Sequence, residues 1–322
     1  MAALSDVPLP EIIELRDTPV DELNRLLEEE IGVWETELSW DFRPSSELVR
    51  RFANMQSLQG FGLRLGNELI GYAYQVCDER KGLIGDFYVR PTRFSPSNEL
   101  ILLNAIVENL ICTPGVRRIE SQLMLMRSPG PMPLPFPDSV TRHDRYFMEI
   151  SRESIIALAP RTASQRIRIQ NWTEKVQEEA AHVISASYRG HIDSEINDQY
   201  RNIPGARRFL TNIIRYPGCG RFCPQASFVA INEHTGKVCG ICLASTVSQR
   251  SAHITQLCVL PGLRGSGVGY ELLRASVQRL AELGYQSVSL TVTCMNVSAI
   301  RMYEAFGFYQ RWKFPALVWE DF

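Results

Sequence analysis

Gly265, Gly267 and Gly269 stand at alternate positions after an apolar run, Ile254 to Val259, and before a segment whose Leu272, Leu273, Val277, Leu280 and Leu283 recur at helical spacing. The pattern predicts a strand, a glycine-rich turn and a helix. Without Cβ atoms in the way, consecutive backbone N–H groups of the turn converge, and the helix start adds the positive end of its dipole. Such a nest holds a phosphate. The spacing is neither G-x-x-x-x-G-K-S/T nor G-x-G-x-x-G, which argues against nucleotide hydrolysis and dinucleotide binding.

Downstream, a strand with alternating Val288, Leu290 and Val292 leads into NVSAIRMYEAFGF, Asn296 to Phe308. Asn296 and Tyr303 are seven residues apart, two helical turns, so they share a helix face. The loop VLPGLRGSGVG resembles the pyrophosphate-binding signature V-x-P-x-x-R-G-x-G-x-G/A of the GNAT superfamily of acyl-CoA-dependent N-acetyltransferases, with Val259, Pro261, Arg264, Gly265, Gly267 and Gly269 at its positions. The second stretch resembles the family's N-x-x-A-x-x-x-Y-x-x-x-G-F, filled by Asn296, Ala299, Tyr303, Gly307 and Phe308. Both motifs stand in the family's order and spacing.

The resemblance implies acetyl-CoA as acyl donor and direct attack by an amine. Leu257, Cys258 and Val259 would offer a backbone N–H to the acyl carbonyl, stabilising the developing oxyanion. Gly265, Ser266, Gly267, Val268 and Gly269 would cradle the pyrophosphate, with Arg264 at the loop's entrance either touching phosphate or supporting the turn. Tyr303 would protonate the departing thiolate as general acid; its other reading is an aromatic packed beside Phe306. Asn296 would bond the pantetheine arm or cap its helix.

An amine that is mostly protonated near neutral pH needs a base. His253, eight residues before Pro261, stands where some family members carry a glutamate, and imidazole titrates in the useful range. It also stands near a polar turn, where an exposed histidine with no such role is common. His191, Asp193 and Glu195 occupy the segment that shapes acceptor pockets in the family. A primary amine on a small molecule is the expected acceptor. The competing reading is a regulator that binds acyl-CoA without catalysis, which has no need of the Tyr303 acid.

Composition bounds the rest. With 34 basic and 36 acidic residues, net charge −2 and no long run of either sign, there is no footprint for nucleic acid or an anionic membrane. No apolar stretch reaches membrane-spanning length. The chain reads as cytoplasmic. Of eight cysteines, Cys219, Cys223, Cys239 and Cys242 have near-zinc spacing, but KVCGICLAS reads as a strand, where residues three apart face opposite ways, so no metal is expected.

The elements that must position these residues form an α/β (α+β) plan used twice. In the first half come a strand at Ile12–Arg16, helices from Thr18 and at 45–53, strands from Phe61 to Val89, a helix at 99–111 and a strand at 118–125. In the second come a strand at 167–170, helices at 173–188 and 204–215, and strands from Phe228 to Val259. Such repetition predicts two similar domains, at 1–160 and 161–322, and the resemblance implies that they are tandem GNAT-like folds, each a mixed sheet flanked by helices. Within the first domain, prolines at every second position from Pro129 to Pro137 exclude helix or central strand. After Val89 and Pro91 the first half runs TRFSPSNE, without glycine and with Pro96 removing a donor. The first domain is therefore expected to have lost its cofactor site.

Overall fold

The computed structural model describes residues 9–128, 133–160, 166–216 and 218–322. Its first elements are strand β1 (Pro10–Glu14), helices α1 (Val20–Leu38) and α2 (Arg43–Asn54), strands β2 (Gly60–Leu65), β3 (Glu68–Asp78) and β4 (Lys81–Val89), helix α3 (Pro96–Cys112), strands β5 (Arg118–Gln122) and β6 (Val140–Ser151) and helix α4 (Arg152–Ile156). There follow β7 (Ile167–Asn171), α5 (Gln177–Ser187), α6 (Asp193–Ile196), α7 (Ile203–Arg215), β8 (Arg221–Phe222), β9 (Phe228–Asn232), β10 (Val238–Thr246) and β11 (Ser251–Val259). The chain closes with α8 (Val268–Glu282), β12 (Ser287–Thr293), α9 (Val297–Phe306) and β13 (Tyr309–Glu320).

Two compact units result, divided otherwise than at residue 160. One comprises the described residues of Met1–Glu37, Phe42–His143 and Phe314–Phe322; the other comprises those of Leu38–Asp41 and Asp144–Lys313. Hydrogen bonding is the reason. Arg145–Ser151 of β6 pair with β12, whereas Ala316–Glu320 of β13 pair with β5. A boundary drawn from composition cannot see which sheet a strand joins.

The first unit's sheet runs β1-β2-β3-β4-β5 and then the end of β13. Its strands are antiparallel except β4 and β5, which pair in parallel from Lys81↔Arg118 to Ile84↔Ser121. The apolar face of α3, Leu102, Leu103, Ile106, Val107 and Leu110, is fully buried against this sheet. The second unit's sheet runs β6-β12-β11-β10-β9-β7, with β8 beside β10. Here β11 and β12 are the parallel pair.

Helical spacing located α8 correctly for Leu272, Leu273, Val277 and Leu280, all fully buried. Leu283 falls past the helix end and is 42% exposed, because Gly284 at φ +99 turns the chain away. The expected opposite orientation of Cys239 and Cys242 also fails. The register of β10 shifts between Val238 and Gly240, so Cys239 is an inserted residue. Both thiols consequently pack in the core under α8, while Val238, Ile241 and Leu243 face α5 and α7. Of the proline-rich stretch, residues 129–132 lie outside the described residues; Pro135 accepts a hydrogen bond from Trp319 Nε1 at 2.8 Å.

The first unit buries an acidic pair. Tyr72 Oη lies 2.7 Å from Glu30 Oε2 and 2.8 Å from Asp86 Oδ2, and Trp34 Nε1 donates to Glu30 Oε1 at 3.0 Å. One hydroxyl has one proton to donate, so a carboxyl of the pair must carry a proton of its own. Burial, and then the charge of Asp86, push Glu30 well above the usual carboxylate range, and burial raises Asp86 as well. The folded state thus holds a proton that the unfolded chain releases at lower pH. This contribution is complete below the usual carboxylate range and is lost as pH rises toward the raised native value. Glu30→Gln should flatten the fall in melting temperature from mildly acidic to alkaline pH, as thermal unfolding across that range would show; an unchanged slope would assign the proton elsewhere.

Candidate functional site

The parallel pairing of β11 with β12 runs from Ser251↔Ser287 to Ile254↔Leu290 and stops. A bulge causes the stop. Against β10, Leu243 faces Gln256 and the next pair is Ala244 with Ile254, which leaves Thr255 as an extra residue. Its Oγ1 donates to the Leu243 carbonyl at 3.2 Å. The added residue bends β11 and raises its twist. Beyond it, residues of β11 and β12 line a cavity of about 490 Å³.

Backbone alternation decides what β11 shows this cavity. The Leu260 N–H bonds the Cys239 carbonyl on the β10 side at 2.9 Å. Successive peptide groups point to opposite edges of a strand, so those of Leu257 and Val259 turn toward the β12 edge, where the pairing has ended. Leu257, Cys258 and Val259 all line the cavity. Burial pushes the Cys258 thiol up to about 12, so it stays protonated.

After Val259 a short turn at Pro261–Leu263 leads through Gly265, at φ +74, to Gly267, at φ +88, which precedes the first turn of α8. Only glycine takes both conformations without strain. Among the described residues no side chain caps this helix, so its first N–H groups are open to a ligand. Gly265, Gly267 and Gly269 line the cavity. Ser266 Oγ turns back to the Leu263 carbonyl at 2.6 Å and the Val268 side chain is core, which confines these two residues to backbone donation. Arg264 lines the cavity, and its Nη2 donates to the Ser187 carbonyl at the end of α5. Its established contact is thus support of the turn.

Helix α9 brings Asn296 and Tyr303 to the same cavity. Asn296 Oδ1 accepts the Ala299 N–H at 3.3 Å as N-cap. At the other end Gly307, at φ +107, terminates the helix, with the Phe308 N–H on the Tyr303 carbonyl at 2.9 Å. Tyr303 packs on Phe308, centroids 5.8 Å apart, rather than on Phe306, whose nearer ring is Tyr270 at 4.9 Å. Among the described residues its hydroxyl has no hydrogen-bond partner. Burial, then Cys242 and Asp193, push its pKa upward, which keeps the phenol protonated.

His253 is placed elsewhere. It is buried, lies outside the cavity lining, and shares a 2.9 Å hydrogen bond with Ser289 Oγ. Trp40 and Phe147 pack on it at 5.2 and 6.1 Å. Burial, and then Arg145, lower its pKa to about 3. A neutral, enclosed imidazole of such low basicity is a core residue, so the base role falls away from His253. His191 and Asp193 do line the cavity, whereas Glu195 is exposed and does not. The Asp193 N–H donates to His191 Nδ1 at 3.2 Å, Thr293 Oγ1 donates to Asp193 Oδ1 at 2.5 Å, and Asn296 Nδ2 lies 3.4 Å from His191 Nε2.

Sequence reasoning missed another part of the wall. Gln256 Nε2 donates to Tyr188 Oη at 2.9 Å and its Oε1 accepts from Tyr200 Oη at 3.4 Å, with the two phenol rings stacked at 4.4 Å. Gln256, a polar residue inside ITQLCV, was the visible signal. Tyr188 and Tyr200 carry no periodicity that marks them. Arg145 also lines the cavity.

Residues 194–308 match the acetyltransferase (GNAT) family. The second unit carries a GNAT acetyltransferase domain. Its activity class is N-acetyl transfer. The match opens within α6 and closes at Phe308, enclosing the bulge, the glycine turn and α9. Solved structures repeat the fold over the whole chain. A GCN5-related N-acetyltransferase from Sphaerobacter thermophilus is 15% identical with TM-score 0.63, covering 98% of this chain and 96% of its own. A tandem GNAT protein from the clavulanic acid biosynthesis pathway is 14% identical with TM-score 0.60, covering 97% and 98%. A GNAT-family acetyltransferase from Colwellia psychrerythraea is 14% identical with TM-score 0.52, covering 97% and 100%. The search of curated proteins finds no match.

The GNAT domain's Asn296 has a structural role that can be measured by itself. Asn296→Ala should cost about 1 kcal/mol through the lost cap and Asn296→Ser much less, read as denaturation midpoints; equal losses would deny the cap its part.

Proposed function

We propose that the second unit transfers the acetyl group of acetyl-CoA to the primary amine of a small molecule by direct attack. The observation that carries this is the meeting of three features in one cavity: an uncapped glycine helix start, strand peptide groups without a strand partner, and a phenol without a hydrogen-bond partner among the described residues. The fit to the donor rests on the cradle. A Cβ at Gly265 would meet nothing within 4 Å, and one at Gly269 would lie 3.6 Å from Val259 Cγ2, so the protein's own packing does not demand glycine at Gly269.

In this reading the turn and the α8 N-terminus hold the pyrophosphate, and a peptide N–H of Leu257 or Val259 receives the acyl oxygen. The acceptor's ammonium gives one proton to the His191–Asp193 pair, where the carboxylate steadies the imidazolium. Its nitrogen bonds the acyl carbon as the C–S bond breaks, and the thiolate takes the Tyr303 proton. The proton the nitrogen then sheds restores the phenol.

The first unit is read as a relative that binds no acyl-CoA. Where α8 is open, α3 is sealed: Ser95 Oγ accepts the Asn98 N–H at 3.1 Å with Pro96 beside it. Glu99, 1% exposed, holds its carboxylate there against the Arg127 and Ser128 N–H groups at 2.7 and 2.9 Å. An acid fixed at that helix start opposes a phosphate. Eight cysteines without a disulfide suit a reducing cytoplasm, and among the described residues no helix is long and apolar enough to cross a membrane.

Calorimetric titration with acetyl-CoA should give one site per chain; two sites would return the first unit to function, and none would end the proposal. Gly269→Asp, which sets a carboxylate at the cradle, should leave the melting temperature unchanged and weaken acetyl-CoA at least about tenfold, whereas unchanged affinity would remove the cradle. Tyr303→Phe should lower kcat on the order of a hundredfold with acetyl-CoA affinity retained; undiminished turnover would take Tyr303 out of the reaction.

A further inference from the structure

Two opposite charges are mounted on one wall of the cavity. Thr291 and Thr293 are alternate residues of β12 and face the same way, roughly 7 Å apart along the strand. Arg145 Nη2 donates to Thr291 Oγ1 at 3.1 Å, and Thr293 Oγ1 donates to Asp193 Oδ1 at 2.5 Å. Arg145 rises from β6 directly opposite Thr293, so its guanidinium reaches back along the wall toward Thr291. Asp193 comes from the other direction, at the start of α6. Both residues line the cavity.

Both also act on the reacting end. Asp193 raises the pKa of Tyr303 and of Tyr200, and Arg145 lowers both. Each charge therefore lies within Coulomb reach of the phenol assigned to the leaving thiolate. Of the other cation lining the cavity, Arg264, a guanidinium nitrogen is committed to the Ser187 carbonyl. This wall thus offers one anion and one cation, held on threonines two residues apart along β12, in a partly desolvated space, where an uncompensated ligand charge is costly and a matched one is favoured.

We propose that the acceptor is a small zwitterion, an α-amino acid or close analogue, with its amino group held at Asp193 and its carboxylate at Arg145. This rests on the transfer reaction proposed above and names its substrate class. A guanidinium presents a planar fork that receives a carboxylate through two parallel hydrogen bonds. A simple alkylamine answers Asp193 and brings no carboxylate to Arg145. A polyamine sets a second cation against Arg145. A cavity of about 490 Å³ that must also admit the acyl end suits an acceptor of amino-acid size.

The test measures CoA release by the full-length protein with acetyl-CoA and each of the common α-amino acids, every one paired with its decarboxylated amine and its methyl ester. The expected result is an amino acid whose kcat/KM exceeds that of both partners by about a hundredfold or more, as for a site built around a polar group its analogue lacks. Arg145→Met should bring that ratio close to one with acetyl-CoA affinity retained, and Arg145→Lys should restore part of it. Amines turned over as well as their parent amino acids by the unaltered protein would overturn the zwitterion while leaving acetyl transfer intact. Acetyl-CoA binding without release for any acceptor of either series would overturn both.

Discussion

The second unit's site depends on one extra residue in a strand. Thr255 has no counterpart on β10, and the bend it introduces parts β11 from β12 after Ile254. A parallel pair that continued would satisfy the Leu257 and Val259 peptide groups within the sheet and close the space between. A buried peptide group without a partner costs about 1–3 kcal/mol, so the parted strand is a place where an amide-bearing ligand arm is favoured. Core packing supports the parting. Val288, Leu290 and Val292 anchor one face of β12 under α8 and α9, leaving Ser289, Thr291 and Thr293 to carry polar partners on the other.

The two units show one architecture given opposite helix starts. Each has a parallel strand pair joined over four residue pairs, and each continues into a short proline turn and a long helix. In the second unit the turn contains two glycines of positive φ and the helix has no side-chain cap. In the first, Ser95 caps the helix start by accepting the Asn98 N–H, and Glu99 sets a carboxyl beside it that accepts from the Arg127 and Ser128 N–H groups. A satisfied helix start is the more stable structure and the poorer anion site, because the same donors cannot serve both.

Electrostatics in the second unit's cavity are set more by burial than by any one charge. Tyr188, Tyr200 and Tyr303 are all raised foremost by desolvation, so the wall presents neutral phenols to its contents. Against that background Asp193 raises and Arg145 lowers Tyr200 and Tyr303, each by less than burial does. His253 illustrates the same rule from the other side. Enclosed by Trp40 and Phe147, it is held neutral, and its residue type alone gave no hint of that enclosure.

Local chemistry was legible in the sequence wherever a residue acts through its own backbone preference. Gly265 and Gly267 form the glycine-rich turn that their spacing predicts, Asn296 caps α9, Gly307 ends it, and Leu272 to Leu280 bury one helix face. The repeated order of elements likewise predicted two units of one plan. Tertiary structure alone decided what depends on partners distant in the chain. The bulges at Thr255 and Cys239 exist only in relation to a neighbouring strand, and which sheet receives β6 or the end of β13 follows from hydrogen-bond registers that composition does not encode. His253 and His191 have the same side chain, yet one is sealed in a core and the other lines the cavity. That difference lies in which side chains close around each ring, and only the folded packing determines it.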